Sequence, residues 1–351
     1  MPMKRRYTMK RFLSLTVILL AITMAMVPAM SFGAAPFYEG KTIRIIVGVS
    51  AGGAFDNYSR ILSRHMGKYI PGKPTIIVEN MTGAGGLISA NHLYRATKPD
   101  GLTIGHFNGG LLFGQVLEQP GIEFDARKFG YLGAISMENS VLWVTKASGI
   151  STIEQFMASK TPVKLGGVGI GTYAPDGIIR ILKAVSAFPA QLVTPYKGGA
   201  DIRLAAEGGE LAGSILSWDA MKSNWGKKFD AGQAAVISQA VPKPLPDLPK
   251  VPLTISMAKT DEGRQIIEIG IHLNNTFARP YVLGPGIPKD RIQVLQKAFM
   301  EAMKDKEFAE ECGKAKLSID PVSGEELEAA VLGAFKTTPA LAAKMKDILY
   351  K

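Results

Sequence analysis

The sequence predicts an α/β protein made of two similar lobes that face a central cleft. A buried strand followed by a glycine-rich turn and a helix occurs twice in the first half of the chain and twice in the second. The spacing is alike, because Gly52 and Gly83 lie 31 residues apart while Gly169 and Gly198 lie 29 residues apart. Strands that alternate with helices are typical of parallel sheets covered by helices. A chain of 351 residues is long enough for two domains.

The first lobe begins with a run of Ile and Val residues at 41–49, which predicts a buried strand. A glycine turn at 50–56 follows, and apolar residues then recur at helical spacing. Those residues are Tyr58, Ile61, Leu62, Met66 and Tyr69. The plan repeats with a strand at 75–78, a turn at 83–86 and a helix from Leu87. A third strand is predicted at 102–106.

The second lobe repeats these elements. A strand at 163–168, a turn at 169–173 and a helix bearing Ile178 and Ile181 are followed by a strand at 191–194. The turn at 195–199 leads to another helix, and the strand at 211–216 ends at Ser217-Trp218-Asp219. Further on, we expect a loop at 242–252, a strand at 281–283 and a last helix that starts with a capping box of Ser323 and Glu326.

Residues 1–33 have the three parts of an export signal. Five basic residues with no acid precede an uncharged, mostly apolar stretch at 12–30, and small residues follow at 31–35. The alternative is a membrane anchor, because the apolar stretch is nearly long enough to span a bilayer. Pro28 and the small residues after it favour cleavage between 31 and 35. We therefore expect an exported protein.

Charge and composition exclude several classes of protein. The formal net charge of +11 falls to +6 when the five charges of residues 1–33 are removed, and the remaining Lys and Arg are scattered among acids. This balance favours binding of anions and argues against a nucleic-acid surface. The lone Cys312 excludes an internal disulfide framework, and the four histidines lack metal-ligand spacing. We expect no metal and no cofactor.

The glycine turns are candidate anion sites. A helix that starts directly after such a turn has unpaired backbone N–H groups, and its dipole favours a carboxylate or a phosphate. Each turn taken alone has a simpler explanation, since glycine permits a tight strand-to-helix connection. Two turns at corresponding positions of two lobes favour binding, because ligands of open α/β sheets lie at the carboxyl ends of strands.

Rival motifs are weaker. The segment 169–174 matches G-x-G-x-x-A, but no acid stands about 20 residues further on to hold a ribose. There is no P-loop and no G-x-S-x-G, and no motif places a base beside Ser50, so we expect no enzyme. Asp56 and Asp176 are interpreted as helix-start residues. Asp219 either caps a turn or accepts a hydrogen bond from a ligand.

Several segments resemble the periplasmic solute-binding receptors of tripartite tricarboxylate transporters, also called Bug or TctC-type receptors. The matching segments keep the family's order and cover nearly the whole chain after the signal. They are 40–47, Ala51-Gly52-Gly53 with Asp56, Val78-Glu79-Asn80, 83–86, 98–103, 124–129, Pro195-Tyr196-Lys197-Gly198-Gly199 and 283–288. The chain departs from the family pattern before the first glycine pair and in its second loop, which lacks the usual serines.

The resemblance implies a type 2 periplasmic-binding fold with a hinge of crossing strands. It implies one lobe at 34–140 plus 277–351 and the other at 141–276, with the chain crossing near Ser140–Thr145 and 275–280. It also implies a monomer that captures a small organic carboxylate and delivers it to a two-component membrane permease. A sensor that presents the same ligand to a membrane kinase is one alternative, and an exported hydrolase is another.

In this family the carboxylate is held by backbone amides of two loops, one from each lobe. Carried over to this sequence, with the residues at the cleft edge, the expected ligand-binding set is Ser50, Ala51, Gly52, Gly53, Ala54, Phe55, Asp56, Gly167, Val168, Gly169, Ile170, Gly171, Thr172, Tyr173, Tyr196, Lys197, Gly198 and Asp219. Lys197 has two interpretations, a solvated lysine or a direct ammonium partner of the carboxylate.

Overall fold

The computed structural model describes residues 36–52, 54–169, 173–196 and 198–351, with the backbone alone for Tyr173 and Ala174. The predicted export signal at 1–33 lies outside the described residues. The elements below all belong to one unit, Tyr38–Lys351. None of the helices in the described part of the chain has the length and apolar character that a bilayer crossing requires.

The strands form two sheets of similar layout. In chain order they are β1 Thr42–Val47, β2 Thr75–Asn80, β3 Thr103–His106, β4 Gly130–Ala134, β5 Ser140–Thr145, β6 Val163–Gly166, β7 Ala190–Val193, β8 Gly213–Ser217, β9 Ala234–Ala240, β10 Tyr281–Leu283 and β11 Val322–Ser323. The first sheet has the order β11-β4-β10-β3-β1-β2 and the second the order β7-β6-β8-β5-β9. The predicted α/β class and the repeat are confirmed.

Each sheet is mixed, whereas the sequence predicted parallel sheets. In the first sheet, β1 lies parallel to β2 and β3, and β10 then adds antiparallel to β3. In the second, β6 lies parallel to β7 and β8, and β5 adds antiparallel to β8. In both sheets the antiparallel strand arises in the same way. β5 and β10 are each the first strand that forms after the chain has passed over from the other sheet.

The helices connect and cover these strands. They are α1 Ala54–His65, α2 Leu87–Arg95, α3 Gly110–Val116, α4 Ile153–Met157, α5 Ile178–Ser186, α6 Gly199–Glu207, α7 Trp218–Asp230, α8 Asp261–Ile267, α9 Asn274–Thr276, α10 Lys289–Met303, α11 Lys306–Lys314, α12 Gly324–Ala334 and α13 Pro339–Tyr350. Two π-helical segments, Tyr173–Gly177 and Glu268–Leu273, precede α5 and α9. The predicted capping box of Ser323 and Glu326 is confirmed at the start of α12.

The chain passes between the sheets at two adjacent places. The first passage is 135–139, between β4 and β5, and the second is 277–280, between α9 and β10. They are linked where Glu138 N–H donates to the Asn275 carbonyl at 3.0 Å. Ser140–Thr145, expected near the crossing, is instead a fully buried strand between β8 and β9. The lobe boundaries at 140/141 and 276/277 remain predictions.

The C-terminal helix α13 contacts elements that adjoin both sheets. It packs against α5 beside β6, and Met345 lies close to Gly270 and Ile181. Its Lys344 pairs with Glu262 of α8, and its Lys346 lies 3.4 Å from Glu118, just after α3. One buried apolar cluster runs through this region from Leu93 to Ile178 and Met345. Helix α13 therefore contacts both α5, which covers the second sheet, and the segment after α3, which follows the first.

Gly109 provides a test of the second passage. It has an ordinary φ of −66°, but a Cβ there would stand 1.6 Å from the carbonyl oxygen of Phe277. We expect Gly109→Ala to lower the free energy of unfolding by about 2–3 kcal/mol, as overpacking does. Gly226→Ala is the matched control, because its Cβ would meet open space inside helix α7. Urea denaturation should show it neutral or stabilising by up to about 1 kcal/mol. Equal losses in both variants would contradict the close contact.

Candidate functional site

The two predicted loops follow equivalent strands. β1 and β6 are each the middle strand of a parallel trio, and residues 48–53 and 167–172 leave their carboxyl ends. Of the expected ligand-binding residues, Gly53, Ile170, Gly171, Thr172 and Lys197 lie outside the described residues, as does the side chain of Tyr173. Ser50, Ala51, Gly52 and Ala54 are exposed at the end of the first loop. Ligands of open α/β sheets bind at this edge.

Asp56 ties the first loop to helix α1. It lies in the first turn of α1, and its Oδ2 accepts the N–H of Gly52 at 2.9 Å and the Arg60 Nε–H at 2.9 Å. Its Oδ1 accepts the Asn80 amide at 3.0 Å, and the same amide group donates to the Val49 carbonyl at 3.0 Å. The carboxylate therefore fastens the loop, the helix and the end of β2 to one another.

The charge of Asp56 is stabilised where it is buried. Its side chain is 3% exposed. The hydrogen bond from Arg60 lowers the pKa of Asp56 to about 2, and the Gly52 and Asn80 donors add to this effect against the opposing cost of burial. Asp56 is therefore a charged, fully engaged group, which fits the prediction of a helix-start residue. Its bonds leave it little capacity to accept from a ligand.

Asp176 has the equivalent role in the second loop. It is buried in the π-helical turn before α5, and it accepts the N–H of Val168 at 2.7 Å and of Gly169 at 2.9 Å. The two loops are thus held in the same way. In each, an aspartate at the start of the following helix accepts hydrogen bonds from backbone N–H groups of the loop. The N–H groups of Gly52, Val168 and Gly169 are therefore already engaged by these aspartates within the protein.

Gly52 and Gly169, the glycines that begin the two predicted turns, both have positive φ. Gly52 has a φ of +84° and Gly169 a φ of +145°, and a Cβ on either would meet open space. Glycine is favoured at both positions by the backbone conformation, and close packing is not the reason.

The cleft-edge residues differ in their surroundings. The Tyr196 hydroxyl donates to Glu210 at 2.6 Å, and burial together with that bond raises the pKa of Tyr196 to about 12. Gly198 precedes α6 in extended backbone. The Phe55 ring lies 4.7 Å from the ring of His106 and 5.9 Å from the guanidinium of Arg279. Tyr196 is therefore a packed residue held by Glu210.

A cavity of about 270 Å³ lies between α1 and α7. Its lining includes Ala54 and Asp219 from the expected set. The other lining residues are Asn57, Tyr58, Ser217, Ala220, Ser223, Asn224, Arg279, Ala315, Lys316, Leu317 and Ser318. Sequence reasoning missed most of these. Asn57 and Ser217 are close in sequence to the predicted loops, whereas Lys316 and Ser318 follow α11 and are placed only by tertiary packing.

Arg279 is a partly buried cation of the second passage. Its side chain is 15% exposed, and it donates to the Met137 carbonyl at 3.2 Å and to the Glu138 carboxylate at 2.5 Å. These bonds join the two passages of the chain beside the cavity. Arg279 thus forms an ion pair with Glu138 and also lines the cavity.

His106 and a second cluster lack the features of catalytic sites. His106 is buried between Phe55 and Tyr281, its Nδ1 is 3.0 Å from the Pro280 carbonyl, and burial lowers its pKa to about 3. It is therefore neutral at physiological pH. Among the described residues, His65, Asp305 and Glu307 bring three metal-type ligand atoms within 4.8 Å of one another. Lys68 pairs with both of these acids, so its ammonium supplies the positive charge there.

Comparison with known proteins agrees with this architecture. The model of the tripartite tricarboxylate transporter family receptor matches residues 59–334. The chain belongs to this family. A curated relative from Cupriavidus necator, named UPF0065 protein in gbd 5'region, is 26% identical over 303 residues, which is 84% of each chain.

Two solved structures show the same fold. A TctC solute-binding protein from Polaromonas has a TM-score of 0.69 at 17% identity and covers 89% of this chain and 98% of its own. The R. palustris protein Rpa4515 with adipate has a TM-score of 0.62 at 17% identity and covers 88% of this chain and 98% of its own. These likenesses confirm the predicted two-lobed periplasmic-binding fold.

The bonds of Asp56 predict a pH-dependent stability. Its pKa in the folded protein lies below the ordinary 3.8, so its contribution is full above that pH and is lost as pH falls towards 2. We expect Asp56→Asn to lower the free energy of unfolding by about 2 kcal/mol at pH 7. The gap between the two proteins should close between pH 4 and about 2. Asp261→Asn, at an exposed helix start, is the control and should cost little. A gap that persists unchanged at pH 2.5 would contradict the proposed bonding.

Proposed function

We propose that this protein is an exported receptor that captures one small organic carboxylate in the cleft between its two sheets and delivers it to a two-component membrane permease. The observation that carries the proposal is the pair of equivalent loops, each fastened by a helix-start aspartate, in a member of the tripartite tricarboxylate transporter receptor family. The fold places both loops at carboxyl ends of parallel strands.

The chemistry of the loops suits a carboxylate. Helix α1 is 12 residues long and begins directly after the first loop, so its first-turn amides and its dipole favour an anion. The aspartates hold the loops in place before a ligand arrives, and preorganisation of this kind lowers the entropic cost of binding. A similar structure carries adipate, which supports an organic acid as the ligand class.

Export follows from the signal predicted at residues 1–33 and from the periplasmic receptors that share the fold. The protein that acts would be the chain after cleavage between 31 and 35. Its function as a receptor requires binding and release, and no chemical step. The candidate site accordingly contains loop amides and polar side chains that engage one another.

Binding is tested by calorimetry on the mature protein. We expect a stoichiometry of 1:1 with at least one acid from a panel of mono-, di- and aromatic carboxylates, because two loops converge on one cleft. Tight binding of a sugar or of a metal cation, with no response to any acid, would overturn the proposal.

A matched pair of glycine variants tests the loop. Gly52 (φ +84°) and Gly209 (φ +79°) have similar backbone and open surroundings, but Gly209 lies at the opposite end of the second sheet, before β8. Both changes to Ala should lower the free energy of unfolding by about 1–2 kcal/mol. Only Gly52→Ala should weaken carboxylate binding, by at least about tenfold, because the loop must shift its amides to relieve the strain. Equal affinity in both variants would show that the first loop does not contact the ligand.

A further inference from the structure

The cavity between α1 and α7 has a mixed polar lining that a simple anion does not require. Among its described lining residues, Asp219 is a carboxylate and Arg279 and Lys316 are cations. Amides and hydroxyls complete the polar part of the wall, at Asn57, Asn224, Ser217, Ser223 and Ser318. A receptor for a bare carboxylate gains nothing from a carboxylate in the wall, because like charges repel.

Asp219 is available to a ligand in a way that Asp56 is not. Both lie in the first turn of a long helix, α1 or α7. Asp56 accepts three hydrogen bonds, whereas within the described part of the chain no donor lies within hydrogen-bond distance of the Asp219 carboxylate. Its nearest described cation is Lys222, with Nζ 3.8 Å away, and Lys222 is itself 2.7 Å from Asp247. The Asp219 side chain is 19% exposed, so it is partly withdrawn from water.

Arg279, a cation of the same cavity wall, is engaged by groups other than Asp219. Arg279 is bound by Glu138 and the Met137 carbonyl. Burial raises the pKa of Tyr58 in the same wall, and the charge of Asp219 adds to that rise while Arg279 opposes it. The Asp219 carboxylate thus forms an ion pair with Lys222 at 3.8 Å but accepts no hydrogen bond from the described residues. A polar group of this kind is satisfied by a donor on the ligand.

The cavity connects Asp219 to the first loop. Ala54 and Asn57, at the start of α1, line one part of the wall, and Ser217 and Asp219, at the start of α7, line another. A short ligand with its carboxylate at the start of α1 would bring its next carbon atoms towards Asp219. The volume of about 270 Å³ suits a small acid.

Resting on the proposed function, we propose that the ligand is a carboxylic acid that also carries a hydroxyl or ammonium group, and that Asp219 accepts the hydrogen bond of that group. The site would then select hydroxy or amino acids over acids without a donor. A site with a dedicated acceptor discriminates strongly against an analogue that lacks the donor, because its buried polar group is left unpaired.

The test is calorimetry with matched acids. Succinate, malate and aspartate share one skeleton and differ by a hydroxyl or an ammonium group, and propionate, lactate and alanine form a second such set. We expect at least one donor-bearing acid to bind tenfold or more tightly than its plain analogue. Equal affinities within each set would overturn this inference and leave the proposed function intact. Failure of every acid would overturn the proposed function itself.

Variants of helix α7 test whether Asp219 causes the preference for donor-bearing acids. Asp219→Ala should remove the preference for the donor-bearing acid and leave the affinity for its plain analogue unchanged or higher. Asp219→Asn separates the two donors, because an amide oxygen still accepts from a hydroxyl but no longer offers a charge to an ammonium. Asp230→Asn, at the exposed end of the same helix, is the control and should keep the wild-type preference. Unaltered selectivity in Asp219→Ala, with the melting temperature preserved, would overturn the assignment.

Discussion

The structure depends on two carboxylates that hold the loops at the cleft. Asp56 and Asp176 accept backbone N–H groups from the turns that precede their own helices. Under the proposed function these loops receive an anion, and an aspartate beside them would repel that anion if its charge were free. At Asp56 this repulsion is reduced, because its carboxylate is paired with the Arg60 guanidinium and accepts a hydrogen bond from Asn80.

The arrangement of strands gives the two loops equivalent positions in the two sheets. Each parallel trio is extended by an antiparallel strand, β10 or β5, that enters directly after the chain has passed from the other sheet. The passages are held together by Arg279 with Glu138 and by the bond from Glu138 to Asn275. Gly109 packs against the carbonyl of Phe277 and donates to that of Ala278 at 3.0 Å. The loop after β3 is thus fixed directly to the second passage.

Local signals in the sequence were sufficient for much of this description. The Ile-rich run of β1, the strand Tyr281–Leu283 and the capping box of Ser323 depend on neighbouring residues alone, and each was predicted. Ser140–Thr145 was predicted only as the region near which the chain crosses, and its place inside the second sheet depends on partners on β8 and β9, some 70–100 residues away. Arg279 and Lys316 were missed for the same reason. Asp219 could be singled out, but its two interpretations could not be separated, since that choice depends on which donors surround it in three dimensions.

Asp56 and Asp219 show how one residue type in one position acquires different partners. A carboxylate in the first turn of a helix is stabilised by the dipole in either case. Asp56 has Arg60 one turn further along its helix, and Asn80 approaches it from the adjacent strand end. Asp219 has Lys222 one turn further along, but Asp247 draws that ammonium to 2.7 Å and leaves it 3.8 Å from Asp219. Asp247, which is not among the lining residues of the cavity, therefore competes with Asp219 for the same ammonium group.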